Sequence, residues 1–281
     1  MIDMHEYSLV VNKMRDFFLG KGFVEVPVQP RLSILAACED PETISRFEFG
    51  DVIWPLPQTG QMWLEYELLK NPDVSGVFCI STSYRNEPNP IPGRHDKVFP
   101  MLEFESKGNM KDLIALEREL LLCLGFTSPM KEETYGDVAK FYDAEILEAE
   151  HELKMANDFA PILFLTSFPF DSHPFWNMKH REDNIFDKVD VIMHGMETFG
   201  SAERSCNPEE MRHYFYNVSN GNYAKKLFEL FGRKRVEEEL ESYLNLPMMP
   251  RFGAGMGVTR MIRAMKKEGL LEEATREEVT A

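Results

Sequence analysis

Arginine, glutamate and histidine crowd into one short stretch, Tyr84 to Glu105, which reads YRNEPNPIPGRHDKVFPMLEFE. Arg85 and Glu87 stand two residues apart. Arg94 and His95 follow a short loop, and Phe99, Leu102, Glu103 and Glu105 close the stretch. A planar, forked guanidinium suits a phosphate, and a carboxylate accepts from an exocyclic amine. Residues two apart on a strand share a face, so Arg85 and Glu87 point the same way. Such a pair would fit a nucleotide such as ATP; it fits equally a hairpin carrying surface ion pairs. A second stretch, Arg251 to Arg263, reads RFGAGMGVTRMIR. Gly253, Gly255 and Gly257 alternate, and Arg260 falls in the first turn of a helix. Glycines let a backbone approach a ligand closely, and an arginine there can hold a phosphate or stack on a base. The bland alternative is a strand thinned by glycine to pack against a neighbour.

The elements that must position these residues follow from periodicity. Pro88, Pro90, Pro92 and Gly93 punctuate a turn, which predicts strand, loop, strand across the first stretch. Tyr7, Val10, Met14, Phe17 and Phe18 recur at helical spacing over 6–19, ended by Gly20 and Gly22. Strands are predicted over 23–28, 77–85, 162–168 and 188–194, with 31–50 irregular. Residues 56–69 begin as a Pro-Gln-Thr-Gly turn and become helical. An amphipathic helix over 109–124 has Asn109 as its N-cap and Gly125 as its C-cap. Further helices are predicted over 143–155, from Asn207-Pro208-Glu209-Glu210 onward, over 236–246 and from Thr259. The charged 266–281 tail is expected at the surface. Strands and helices do not alternate strictly, which predicts one α+β domain over 1–281 rather than a doubly wound parallel sheet.

Composition narrows the classes. The chain has 281 residues, 43% hydrophobic and 28% charged, which is ordinary for a globular enzyme with a sizeable core. No apolar run approaches the roughly 20 residues of a membrane span. The N-terminus lacks the basic start and apolar core of a signal peptide, so the cytoplasm is the expected compartment. Cys38, Cys79, Cys123 and Cys206 are too scattered to signal a zinc site or a disulfide framework. The net charge of −16 is the opposite of what phosphate-backbone binding needs. A small anionic ligand remains compatible, because a few arginines in one pocket suffice.

Taken together, the two stretches resemble motifs 2 and 3 of the class II aminoacyl-tRNA synthetases, nearest to the asparaginyl/aspartyl subgroup. The pattern R-x-E, loop, R-H, F-x-x-[ILV]-[DE]-x-E is met by Arg85, Glu87, Arg94, His95, Phe99, Leu102, Glu103 and Glu105. G-x-G-x-G followed by x-x-R is met by Gly253, Gly255, Gly257 and Arg260. Met14 to Pro30 resembles motif 1. Thr59 to Glu65 resembles an SGQLxLE segment, and Ala37-Cys38-Glu39 the loop before it. Asp190, Glu197, Gly200 and Arg204 resemble D-x6-E-x-x-G-x-x-x-R. The resemblance covers roughly residues 6–265. It implies a class II fold, a mainly antiparallel sheet flanked by helices, paired as a homodimer through motif 1.

The resemblance also implies roles. Arg85 and Arg260 would be the catalytic pair, with Arg85 on the ATP α-phosphate. Glu87 would accept from the adenine amine, between Phe99 on one face of the ring and Arg260 on the other. Arg94 and His95 would grip the terminal phosphates. Asp190 and Glu197 would bind Mg²⁺, with Glu197 also facing ATP. Glu39 and Gln61 would hold the α-amino group of an amino acid. Arg204 and Glu103 would read its side chain. With Leu64 where aspartyl enzymes carry lysine, a carboxamide suits this pocket better than a carboxylate, and Met101 matches the asparaginyl pattern.

Thr259, Val98, Pro100 and Ala202 depart from the family's usual residues. The sequence opens at motif 1, without the subgroup's N-terminal anticodon-binding barrel. That opening and the acidic balance disfavour ordinary tRNA charging. The expected activity is Mg²⁺-dependent adenylation of asparagine or aspartate. The acceptor is then ammonia, as in AMP-forming asparagine synthetases, or the acceptor end of a tRNA. A non-catalytic regulator that binds nucleotide or amino acid is the alternative from another class.

Overall fold

The computed structural model describes residues 2–28, 32–34, 41–170, 172 and 175–271. Its centre is the predicted strand–loop–strand. β4 (Gly76–Tyr84) runs antiparallel to β5 (Val98–Lys107), from Gly76 opposite Ser106 to Tyr84 opposite Val98. β11 (Arg251–Gly257) pairs with the other edge of β5, setting Gly253 opposite Glu105 and Gly255 opposite Glu103. β10 (Glu197–Glu203) pairs with β11 and then with β9 (Ile185–Met193), which sets Gly200 between Gly255 and Asp190. β7 (Ile162–Pro169) and β6 (Met130–Thr134) continue the sheet on that side, and β1 (Val24–Glu25) closes the other. Among the described residues only the β1–β4 and β6–β7 pairs are parallel, so the sheet is mainly antiparallel, as expected.

Alternation along the strands sorts the two faces. Leu102 and Phe104 of β5 point into the main core, with Val189 and Val191 of β9 and Ala254 and Met256 of β11. Three helices cover that side: α1 (Met4–Gly20), α3 (Met110–Cys123) and α9 (Val258–Lys267). Asn109 caps α3 in a capping box with Asp112, as its position predicts. Met101, Glu103 and Glu105 point to the opposite face, over which α2 (Gln61–Lys70) lies. Beyond α2, the helices α6 (Pro208–Asn217), α7 (Asn222–Phe231) and α8 (Arg233–Leu244) build a second core with Met62, Tyr66 and Leu69. Asn207 accepts from the Glu209 and Glu210 amides at the start of α6, with Pro208 at its first position, again as predicted.

Several elements differ from the sequence expectation. The 31–50 segment is not wholly irregular: β2 (Arg46–Phe49) and β3 (Val52–Pro55) form a hairpin. Its turn residues, Gly50 and Asp51, both adopt φ near +59°, the left-handed pair that a tight hairpin needs. The helix expected over 143–155 is α5 (Ala149–Asp158), preceded by α4 (Tyr135–Phe141). Asp143, at φ +52°, breaks the chain between them.

One acid sits in the wrong solvent. Glu117 of α3 is fully buried, and neither carboxylate oxygen has a hydrogen-bond partner. The nearby Ser201 hydroxyl donates instead to the Val189 carbonyl at 2.9 Å. Burial pushes the Glu117 carboxyl up to about 8, against the smaller pull of Ser201 and Arg118. The unfolded chain releases this proton near the usual glutamate value, and the folded chain holds it until about pH 8. Stability is therefore lost as pH rises between those values, with a slope of up to ~1.4 kcal/mol per pH unit from this group. Glu117→Gln should flatten that decline in urea melts at pH 5, 6.5 and 8. A variant whose stability falls as steeply as wild type would refute it.

Candidate active site

The register places the two arginine-bearing stretches side by side around a cleft with two lobes. One lobe, about 370 Å³, is walled by Arg85, Glu87, Arg94, His95, Phe99 and Arg260, with Gly255 and Gly257 of β11 in its lining. The other, about 510 Å³, is walled by Gln61, Trp176, Lys188, Asp190, Ser201 and Arg204. Arg85, Glu87, Glu197 and Gly200 belong to both, so the lobes meet there. A wider groove, about 990 Å³, lies behind Phe99 against α9. It shares Asp96, Phe99, Thr259 and Arg263 with the first lobe but has none of Glu87, Asp190 or Glu197.

Arg85 leaves the end of β4, and its guanidinium carbon sits 5.7 Å from the centre of the Phe99 ring. Its Nε is buried with no hydrogen-bond partner, a donor held ready for an anion. Arg260 enters from the first turn of α9. Its Nη1 donates to the Glu197 carbonyl at 2.8 Å, and Nη2 approaches the Arg94 carbonyl at 3.5 Å. His95 stays near the loop, its Nδ1 accepting the Ile91 amide at 3.4 Å.

Asp190 and Glu197 reach the joint from neighbouring strands. A Cβ placed on Gly200 would lie 3.3 Å from Glu197 Oε1 and 3.8 Å from Asp190 Oδ1, so both oxygens border one small space that glycine leaves open. Asp190 Oδ1 is buried without a partner, while Oδ2 accepts from Lys188 Nζ at 2.5 Å. Burial raises the Asp190 carboxyl to about 7 despite Lys188, and Glu197 and Glu152 add to the rise. Burial also acts upward on Glu197, but Arg260, Lys188, Arg85 and Arg94 together hold it below the usual carboxylate range. Two converging carboxylates with an unfilled oxygen fit a hard cation such as Mg²⁺. Among the described residues no group of three or more His, Cys, Asp or Glu could hold an ion alone. Ligand oxygens would have to complete the shell.

The second lobe is where expectation and structure part. Gln61 Nε2 donates to Glu105 Oε1 at 2.7 Å and to the Phe104 carbonyl at 3.0 Å. Arg204 Nε donates to the same Glu105 oxygen at 2.7 Å and lies 3.6 Å from Glu65. A Cβ on Gly253 would fall on both Gln61 Nε2 and Glu105 Oε1, so the first glycine of the triplet makes room for this contact. Glu103, expected beside Arg204, is instead fully buried under the start of α2. It accepts from the Gly60 amide at 2.8 Å, the Ser81 hydroxyl at 2.6 Å and the Thr59 hydroxyl. The carboxylate that meets Arg204 is Glu105, whose Oε2 is buried and unpartnered. Burial raises Glu105 to about 7, with Arg204 opposing and Glu65 reinforcing. Glu39 lies outside the described residues.

Two wall residues went unassigned in the sequence. Lys188 stands two before Asp190, and strand alternation would have put both on one face. Its ammonium also sits 3.9 Å from the centre of the Phe168 ring. Glu152 of α5 pairs with Arg94 at 2.6 Å. It sits in an acidic helix whose spacing carries no signal of a site.

Comparison with known proteins places this geometry. A lysine–tRNA ligase from Aliarcobacter butzleri is 21% identical, over 94% of this chain and 60% of its own length. The asparaginyl-tRNA synthetase of Pyrococcus horikoshii, solved with asparaginyl-adenylate, superposes with a TM-score of 0.77 at 18% identity, over 94% of this chain and 65% of that one. Aspartyl-tRNA synthetase from Entamoeba histolytica gives 0.70 at 17% identity, over 93% of this chain and 54% of that one. The chain thus spans less than two thirds of the length of these relatives. The model of the tRNA synthetases class II (D, K and N) matches residues 4–275, and the chain belongs to that family of ligases.

Proposed function

We propose that this chain is an AMP-forming ligase that activates asparagine, or its close relative aspartate, with ATP. The observation that carries the reading is the joint between the lobes. There Arg85, with its unpartnered Nε, lines both lobes, and the carboxylates of Asp190 and Glu197 converge over Gly200. In the reaction, an oxygen of the amino-acid carboxylate attacks the α-phosphorus, the bond to the β-phosphate breaks, and pyrophosphate leaves. The nucleophile is already an anion, so no general base is required. Arg85 holds the α-phosphate, where negative charge builds. Glu87 accepts from the adenine amine, Phe99 and Arg260 flank the ring, and Arg94 and His95 take the terminal phosphates. Asp190 and Glu197 would hold Mg²⁺, which when bound offsets phosphate charge. Catalysis is then positioning and charge stabilisation.

Charge balance in the second lobe supports asparagine. Arg204 has Glu105 and Glu65 as counter-ions, and Lys188 has Asp190. With Arg85 given to the α-phosphate, a second substrate carboxylate would find no further uncompensated cation among the described residues there, whereas a carboxamide brings no charge. Gln61 and Glu39 are assigned to the α-amino group. A net charge of −16 favours a small nucleophile, such as ammonia, over tRNA as acceptor.

Amino-acid-dependent ATP–pyrophosphate exchange tests the reading with each standard amino acid. Exchange should be strongest with asparagine. Stronger exchange with aspartate would overturn the charge argument, and no exchange with any amino acid, in folded protein, would overturn the ligase. Adding ammonia or total tRNA to an active mixture and identifying the product then assigns the acceptor.

A further inference from the structure

Arg94 sits in the loop between β4 and β5, where the reading above assigns it to the terminal phosphates of ATP. Its guanidinium is already engaged. Nη2 donates to Glu152 Oε2 at 2.6 Å, with the two side chains only 12% and 16% exposed. The same oxygen accepts the Glu197 amide at 3.0 Å. Arg260 closes the arrangement from α9 through the Glu197 and Arg94 carbonyls. Loop, β10 and α5 therefore meet at one carboxylate, and that carboxylate lines the cleft beside Asp190. Nothing in the motif-bearing strands supplies it. Glu152 comes from α5, on the far side of the cleft.

Glu152 and a phosphate want the same guanidinium, and two anions repel when they crowd one cation in a partly dry site. We propose that Glu152 is a positioning residue. It holds Arg94, and with it the loop, where the terminal phosphates of a nucleoside triphosphate belong, and gives Arg94 up when such a nucleotide binds. The cleft is thereby kept assembled before ATP arrives, at a cost in ATP affinity. The inference rests on the ATP reading of the cleft. It also separates nucleotides: AMP has no terminal phosphate to reach Arg94, so Glu152 should affect ATP and not AMP.

The test is binding of ATP and of AMP to wild type and Glu152→Gln by titration calorimetry, with kcat and KM for ATP from the exchange assay. Glu152→Gln should bind ATP about 5- to 10-fold more tightly, the scale of one partly buried ion pair. KM for ATP should fall accordingly, and AMP binding should stay as in wild type. Equal or weaker ATP binding, or a parallel change for ATP and AMP, would overturn the proposal. Should the variant not fold, hydrogen exchange in wild type decides. ATP should speed exchange across residues 149–158 relative to AMP, and equal exchange would overturn it. A wild type that binds neither nucleotide refutes the ATP reading itself and the inference with it, a result distinct from all the others.

Discussion

Arg85→Ala should lower ATP–pyrophosphate exchange by at least about 10²–10³-fold, with the thermal melt and the sedimentation coefficient unchanged. The magnitude is that of removing one preorganised donor from a developing oxyanion, and a lost cation makes it a lower bound. Arg85 is suited to the role because its Nε is buried and unfilled, so no protein acceptor has to be displaced when phosphate enters. The loss should fall on kcat more than on KM for the amino acid, since in the proposed reaction Arg85 meets the reacting phosphate and not the second lobe's far wall. Steady-state exchange and sedimentation check both halves. Retained exchange would refute the phosphate role, and a wild-type monomer would refute pairing through motif 1.

Arg251→Met should cost roughly 3–5 kcal/mol, the range for breaking one side of a buried ion pair. Arg251 is completely buried. Its Nη2 and Nε donate to Glu65 at 2.9 and 3.2 Å, and its Nη1 reaches the Ser205 and Met249 carbonyls at 3.3 Å. Glu65 also accepts from Asn177 at 2.8 Å and from the Tyr243 hydroxyl. One guanidinium thus ties β11 to α2, α8 and the turn before α6. Without it, Glu65 keeps only the more distant Arg204 as a cation among the described residues. Melting should drop by about 10 °C or more. A drop of only a few degrees would show that the network tolerates the loss.

Much of this was legible in the sequence because it depends on local rules. Arg85 and Glu87 lie just past the end of β4, so strand alternation does not apply to them, yet both line the cleft as their types suggested. The caps at Asn109 and Asn207 fixed two helix starts. Glu103 and Glu105 mark the limit of such reading. Both lie on one face of β5, and alternation cannot say which of them faces Arg204. That choice is made by tertiary placement: Thr59, Gly60 and Ser81 converge on Glu103 and fill its oxygens. Glu152 was out of reach for the same reason, because its partner lies 58 residues away in another element. The β2–β3 hairpin was legible in principle. Gly50-Asp51 is a tight-turn dipeptide between apolar runs, but its flanking Phe49 and Val52 are exposed, so burial gave no pattern to find.

β5 carries Phe99 in the first lobe of the cleft and Glu105 against Gln61 and Arg204 of the second. At ~3.4 Å per residue, six steps of strand span about 20 Å. The strand is therefore a ruler laid along the cleft, graduated every second residue by Phe99, Met101, Glu103 and Glu105. A ruler of this kind tolerates a change of residue type at any mark. It does not tolerate a change in spacing, because one inserted residue would turn every later mark to the opposite face of the sheet. A substitution at a mark thus changes only which side chain stands there, while the distance between the two ends of the cleft stays fixed by the backbone.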